Sequence, residues 1–158
     1  SYLHKLADGD NAVILDDESV FLEKMREAVI ASKKQYEESG MTLTPREFYA
    51  TMPSAVLIID DVDNFVETIK PVAVDMEPLI ASLSEVGICT VATTVPSKLR
   101  GFDNITKIIK DTQSGVVLGN PTDQMLLSAV AERGYKGKID MGFMVDHGNS
   151  TKIMIPRA

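Results

Sequence analysis

The chain has 158 residues, 44% apolar and 25% charged, with ten Gly and seven Pro spread along it, which suits one compact globular domain and excludes a low-complexity chain. Acidic residues outnumber basic ones 23 to 16, a net charge of −7, so its field repels phosphate backbones and nucleic acid is not an expected partner. No apolar stretch approaches the roughly 20 residues that span a bilayer, so this segment is expected to be soluble and not to insert directly into a membrane.

In chain order, Asn11-Ala12-Val13-Ile14-Leu15 reads as a short buried strand, followed by Asp16-Asp17-Glu18, carboxylates suited to a helix N-terminus. Phe21, Leu22, Met25, Val29, Ser32 and Tyr36 then recur at helical spacing to about Glu38, where Ser39-Gly40 reads as the C-cap. Thr44-Pro45-Arg46-Glu47 has the form of a capping box opening a short helix over Phe48 and Tyr49, closed by Pro53. Ala55-Val56-Leu57-Ile58-Ile59 is apolar without alternation, as a central parallel strand covered on both faces requires, and it ends in Asp60-Asp61.

Helices are expected from about Asn64 to Lys70 and from Val74 to Ser84, ahead of a second buried strand, Ile88 to Thr93, stopped by Pro96. Cys89 lies in this apolar run; as a single cysteine it forms no internal disulfide and no metal cluster, and a buried, inert thiol is expected. Farther on, Ile105 to Lys110 is expected to be a helical turn, Gly115 to Gly119 a third buried strand, and Thr122 to Arg133 a helix capped by Gly134. Met141 to Val145 and Thr151 to Ile155 flank Asp146-His147-Gly148-Asn149-Ser150, which has the turn chemistry of a β-hairpin.

Strands alternating with helices imply an α/β fold with a mainly parallel sheet, flanking helices and an antiparallel closing hairpin. Ligands of such sheets bind at the carboxyl ends of the strands, which places Asp60, Asp61 and Thr93 on one candidate edge. An apolar strand ending in Asp, as Ile58-Ile59-Asp60-Asp61 does, has the form of a Walker B segment, whose carboxylate holds the hydrated Mg²⁺ that bridges the outer phosphates of a nucleotide. The next position usually carries the acid that orients the attacking water, and Asp61 is one methylene shorter than the Glu expected there. An acidic pair after a strand also caps helices or merely begins a loop, and by itself the pair does not decide between these roles. A phosphate loop does not occur in the chain: at Gly137-Lys138 the pair is followed by Ile139, and Glu132 stands where the first Gly belongs.

Four segments together resemble the FtsK/SpoIIIE ATPases, specifically the C-terminal ATPase domains of the type VII secretion ATPases. They are the helical stretch Glu18 to Glu38, the Walker B run Ala55 to Asp61, and Gly87-Ile88 leading to Ala92-Thr93-Thr94-Val95-Pro96-Ser97. The fourth is the Gly-flanked strand Gly115 to Gly119 with the closing hairpin between Gly134 and Pro156. The resemblance implies a partial RecA-like P-loop NTPase fold in residues 1–158, with the phosphate-loop strand and helix expected before Ser1. It also implies that Asp60 is the metal-side carboxylate, Asp61 a degenerate catalytic acid and Thr93 a nucleotide-side residue, with ATP and Mg²⁺ as cofactors of the intact domain. The implied partners are other domains and copies of the same secretion motor and small helical secreted substrates, on the cytoplasmic side of a membrane protein. Thr94 and Val95 stand where active members often carry Gln-Arg, and Arg100, Lys107 and Lys110 do not make a clear arginine finger. The resemblance therefore implies a regulatory or substrate-engaging domain, not expected to hydrolyse ATP as this piece.

Two other readings stay open on the residues alone. Asp16-Asp17, Asp60, Thr93 and Lys110 mimic the acidic pocket, phospho-acceptor, Thr and Lys of a two-component receiver domain, although residues 40–53 lack the apolar strand which that fold requires. An α/β interaction domain without a ligand would use the same acids as caps and solvated loop charges.

Overall fold

The computed structural model describes residues 17–51, 55–95, 97, 103–120, 124–129, 135, 138 and 140–155. The expected strand at residues 11–15 and Asp16 lie outside them. Helix α1, Glu18–Glu38, begins at Asp17, whose Oδ1 accepts from the backbone N–H groups of Ser19 and Val20 at 2.9 Å each. Those donors have no partner within the helix, so the cap satisfies two of the four orphan N–H groups of the first turn. Asp17→Ala is expected to cost about 1 kcal/mol of stability, read as a lower denaturant midpoint at unchanged slope, and Asp17→Ser is expected to restore most of it. The helix ends at Ser39, whose N–H donates to the carbonyls of Gln35 and Tyr36.

Helix α2, Pro45–Thr51, opens with the expected capping box. The N–H and Oγ1 of Thr44 donate to Glu47 Oε2 at 2.9 and 2.7 Å, and the Glu47 N–H returns to Thr44 Oγ1 at 3.3 Å. These bonds to the ionised carboxylate, first from the hydroxyl and then from the backbone, hold the Glu47 pKa below its ordinary value. Strand β1, Ala55–Ile59, leads into α3, Val62–Thr68. A 3₁₀ turn at Lys70–Val72 precedes α4, Ala73–Ser82, and a second at Leu83–Val86 precedes β2, Ile88–Ala92. Helix α5 spans Asn104–Thr112, and β3, β4 and β5 span Ser114–Leu118, Met141–Asp146 and Asn149–Met154.

The chain divides into two compact units, one of Ser1–Ile59 and Asn64–Val91, the other of Asp60–Asp63 and Ala92–Ala158. In the first, β1 and β2 are neighbours in a parallel pair. Helix α1 packs on α4 and on the turn that follows it, burying Leu22, Met25 and Val29 together with Met76, Ile80, Leu83 and Val86. Polar ties cross this core: Ser32 Oγ donates to the Val86 carbonyl, and the Tyr49 hydroxyl donates to the Ser32 carbonyl at 3.0 Å. Tyr36, Phe48 and Tyr49 form an aromatic cluster, with ring centroids of Phe48 and Tyr49 5.2 Å apart.

In the second unit β3, β4 and β5 form an antiparallel sheet in that order, with Val117 opposite Phe143 and Phe143 opposite Lys152. Paired residues share a face, so one face carries Val117, Phe143 and Val145, of which Phe143 and Val145 are buried. Tyr135 meets Phe143 edge on at 5.0 Å, and Lys152 Nζ stands 5.1 Å from the Tyr135 ring centroid. The hairpin turn is His147-Gly148, with φ of 47° and 85°, a primed turn whose twist matches the strands it joins and whose second position Gly occupies without steric cost.

The Ser114 hydroxyl and then His147 bond the Asp146 carboxylate at the end of this sheet, and together they hold its pKa below the ordinary 3.8. A carboxyl whose folded pKa is depressed adds stability above the unfolded value and loses it as pH falls through the folded one. Below pH 3.8 the unsubstituted chain is therefore expected to lose more stability with acid than Asp146→Asn does, a comparison read from thermal unfolding over that range.

Four expectations need correction. The helix read over Thr122 to Arg133 is not formed in residues 124–129; the Gln124 carboxamide there accepts from the N–H groups of Leu126 and Leu127, so the side chain replaces a backbone ladder. Its other positions and Gly134 lie outside the described residues. The third buried strand is antiparallel to the hairpin and exposes Val116 and Leu118 on one face. The first strand likewise buries Leu57 and Ile59 while Val56 and Ile58 stay 58% and 53% exposed, and Cys89 on β2 is exposed rather than buried. An unbroken apolar run reports that both faces are apolar; it does not report that both are covered.

Candidate functional site

The apolar pairing of β1 with β2 brings the carboxyl ends of the two strands side by side, and the candidate residues stand at those ends. Asp60 and Asp61 follow Ile59, and Thr93 follows Ala92. All three belong to the second compact unit. Three hydrogen bonds tie Thr93 to three consecutive residues. Its hydroxyl donates to Asp60 Oδ1 at 2.8 Å and accepts from the Asp61 N–H at 3.0 Å, and its carbonyl accepts from the Val62 N–H at 3.0 Å.

The local backbone explains how one hydroxyl reaches two residues. Asp61 has φ of 63°, in the left-handed region that Asp enters more readily than most residues, and it stands between the extended strand and the first turn of α3. Backbone strain of order 1 kcal/mol or more at a non-glycine residue persists only where surrounding bonds over-determine it, and here they come from Thr93 on the neighbouring chain segment.

The Asp60 side chain is exposed, and its Oδ1 is committed to Thr93, which leaves Oδ2 as acceptor capacity for a ligand. Among the described residues no three His, Cys, Asp or Glu side chains are grouped to hold a metal by themselves. One oriented carboxylate nevertheless suits Mg²⁺, a cation that keeps several waters and takes its remaining oxygens from substrate phosphates. Two neighbours in sequence that the sequence reading did not single out as site residues, Asp63 and Thr94, bury Oδ2 and Oγ1 without a hydrogen-bond partner. Buried polar atoms without partners are uncommon in folded proteins, and a water or an ion is one of the ways such an atom is satisfied.

Other sequence candidates stand on another element or lie outside the described residues. Lys110, which a receiver pocket needs at a strand end, stands in the last turn of α5, and Asp16 and Arg100 lie outside the described residues. Lys107 is exposed on α5. His147 is committed to the hairpin turn and to Asp146. No helix of the described residues is long and apolar enough to cross a membrane.

No family model matches the sequence, and no curated protein matches it. Solved structures do share its fold. A structure of EssC (ATPases 2 and 3) from Geobacillus thermodenitrificans superposes with a TM-score of 0.77 at 18% identity, covering 98% of this chain and 29% of that one. A structure described as the cytoplasmic domain of EssC superposes with a TM-score of 0.75 at 17% identity, covering 98% of this chain and 31% of the other. The chain thus has the fold of part of those ATPase structures and spans about three-tenths of their length.

Proposed function

We propose that this chain is part of an ATPase-family domain of a type VII protein secretion motor, with Asp60 as its Walker B carboxylate. The observation that carries the reading is the oriented Asp60 at the carboxyl ends of paired parallel strands, in a fold shared with EssC ATPase structures. The domain acts on the cytoplasmic side of the membrane, among other domains and copies of the same motor, and meets small helical secreted substrates. The net charge of −7 supports protein partners over nucleic acid.

ATP with Mg²⁺ is the ligand of the intact domain, and the phosphate loop that would cradle it precedes this segment in the family's order of elements. Bound Mg²⁺ would supply neutralisation of the charge on the outer phosphates. Asp60 would hold the hydrated cation through its carboxylate, whose Oδ1 accepts from the Thr93 hydroxyl. Asp61 takes the place of the water-orienting acid with a side chain one methylene shorter than Glu, so the domain binds nucleotide in a regulatory role and is a poor hydrolase.

Calorimetric titration of Mg-ATP tests this on the present chain and on a longer polypeptide that carries the upstream phosphate loop. The longer one alone is expected to bind, and Asp60→Asn in it is expected to weaken Mg-ATP at least tenfold, about 1.4 kcal/mol. Absence of binding by both rules out the nucleotide reading. A phosphoryl-fluoride analogue that binds the short chain through Asp60 with Mg²⁺ rules in the receiver chemistry instead. The regulatory role is tested by deleting the domain from the whole motor, where unchanged ATPase rate and secretion would overturn it.

A further inference from the structure

We infer that Thr93 is a positioning residue for the Asp60 carboxylate and does not contact the nucleotide. The inference rests on the nucleotide reading of Asp60 and changes the part that Thr93 plays in it. A threonine hydroxyl has one proton to donate and two lone pairs to accept with. Asp60 as a carboxylate can only accept, so the 2.8 Å bond between them uses the single Thr93 hydroxyl proton. The Asp61 N–H fills one of the two lone pairs at 3.0 Å. What remains on Thr93 is acceptor capacity, and phosphate oxygens are acceptors themselves. Neither the Thr93 hydroxyl nor the Asp61 N–H can donate to a phosphate while this arrangement holds.

The same bonds give Thr93 a different use. A carboxylate on a flexible side chain loses rotamer freedom when it binds a hydrated cation, and a group already held at one oxygen has less freedom to lose. The carbonyl of Thr93 anchors the Val62 N–H at 3.0 Å, so the residue that orients Asp60 is itself fixed to the segment that carries Asp60. Each partner is a consecutive residue, 60, 61 and 62, and Asp61 reaches Thr93 through its left-handed backbone at φ 63°. A hydroxyl at position 93 is thereby required for geometry, and the methyl group is not.

The test uses the complete protein that carries this chain, with Mn²⁺-ATP and metal-free ATP in chelator as separate probes, the bound Mn²⁺ being read by its electron paramagnetic resonance. Thr93→Val is expected to weaken Mn²⁺-ATP about tenfold, as Asp60→Asn does, and to leave metal-free ATP unchanged. The double substitution is expected to cost no more than either alone, and Thr93→Ser is expected to bind as the unsubstituted protein does. Loss of metal-free ATP binding in Thr93→Val, or additive losses in the double variant, overturns the positioning role in favour of a direct nucleotide contact. Failure of Thr93→Ser to bind normally also overturns it, because the hydroxyl would then not be the operative group. If Thr93→Val does not fold, Thr93→Cys carries the same comparison with a weak donor of similar size. Absence of any metal-dependent binding by the unsubstituted protein sinks the nucleotide reading itself, which is a different result from retained binding that ignores position 93.

Discussion

Gly87→Ala is expected to lower the stability of the chain by about 3 kcal/mol, the sum of a left-handed backbone penalty and local overpacking. Gly87 ends the 3₁₀ turn before β2 with φ of 72°, where its N–H donates back to Leu83 and Ser84. A Cβ there would stand 2.5, 2.7 and 2.8 Å from Cδ1, Cγ and Cβ of Tyr49. Tyr49 cannot swing aside cheaply: it is 8% exposed, its hydroxyl donates to the Ser32 carbonyl at 3.0 Å, and its ring packs on Phe48 and Tyr36. Urea unfolding should show the midpoint falling at unchanged slope. Tyr49→Ala in the same chain should give a double variant less destabilised than the sum of the two, because the Cδ1 and Cγ atoms that the new Cβ would meet at 2.5 and 2.7 Å are removed. Full additivity would mean that the ring is not what the new Cβ meets.

Met76→Ala is expected to cost about 2–5 kcal/mol, the range for deleting a long buried side chain that leaves a cavity. Met76 is 0% exposed on α4, the helix against which α1 buries Leu22, Met25 and Val29. Met76→Leu keeps volume and apolar character and should cost less than about 1.5 kcal/mol. A similar loss in both variants would mean that shape rather than cavity volume governs this part of the core. The contrast between the two, measured by the same unfolding, separates a packing role from any chemistry of the thioether.

Position within the chain made some of the candidate site legible and left its working parts hidden. The apolar run ending at Asp60 is a local pattern, and the acidic pair is visible wherever the strand is. The bond from Thr93 to Asp60 is not local, since the residues are brought together only by the pairing of β1 with β2. The left-handed Asp61 is equally invisible in a sequence, because Asp is ordinary in many backbone conformations and only its φ of 63° marks it. Asp63 had no pattern and Thr94 was visible only as a departure from the resembled motif, and their unpartnered atoms appear only when burial is known.

The sequence by itself determined what depends on neighbours a few residues apart. The long helix ending at Glu38, the capping box at Thr44 and Glu47, the strands at Ala55 and Ile88 and the terminal hairpin all follow from caps, turns and apolar periodicity. Tertiary structure decided what depends on which surfaces meet. It joined Ser114–Leu118 to the hairpin as an antiparallel strand, left Val56, Ile58 and Cys89 exposed, and replaced the expected helix at residues 124–129 with side-chain turns. The physical reason is that helix caps and turns are stabilised within one stretch of chain. Strand partners, covered faces and the orientation of a carboxylate are set by contacts between stretches far apart in sequence, which no local pattern encodes.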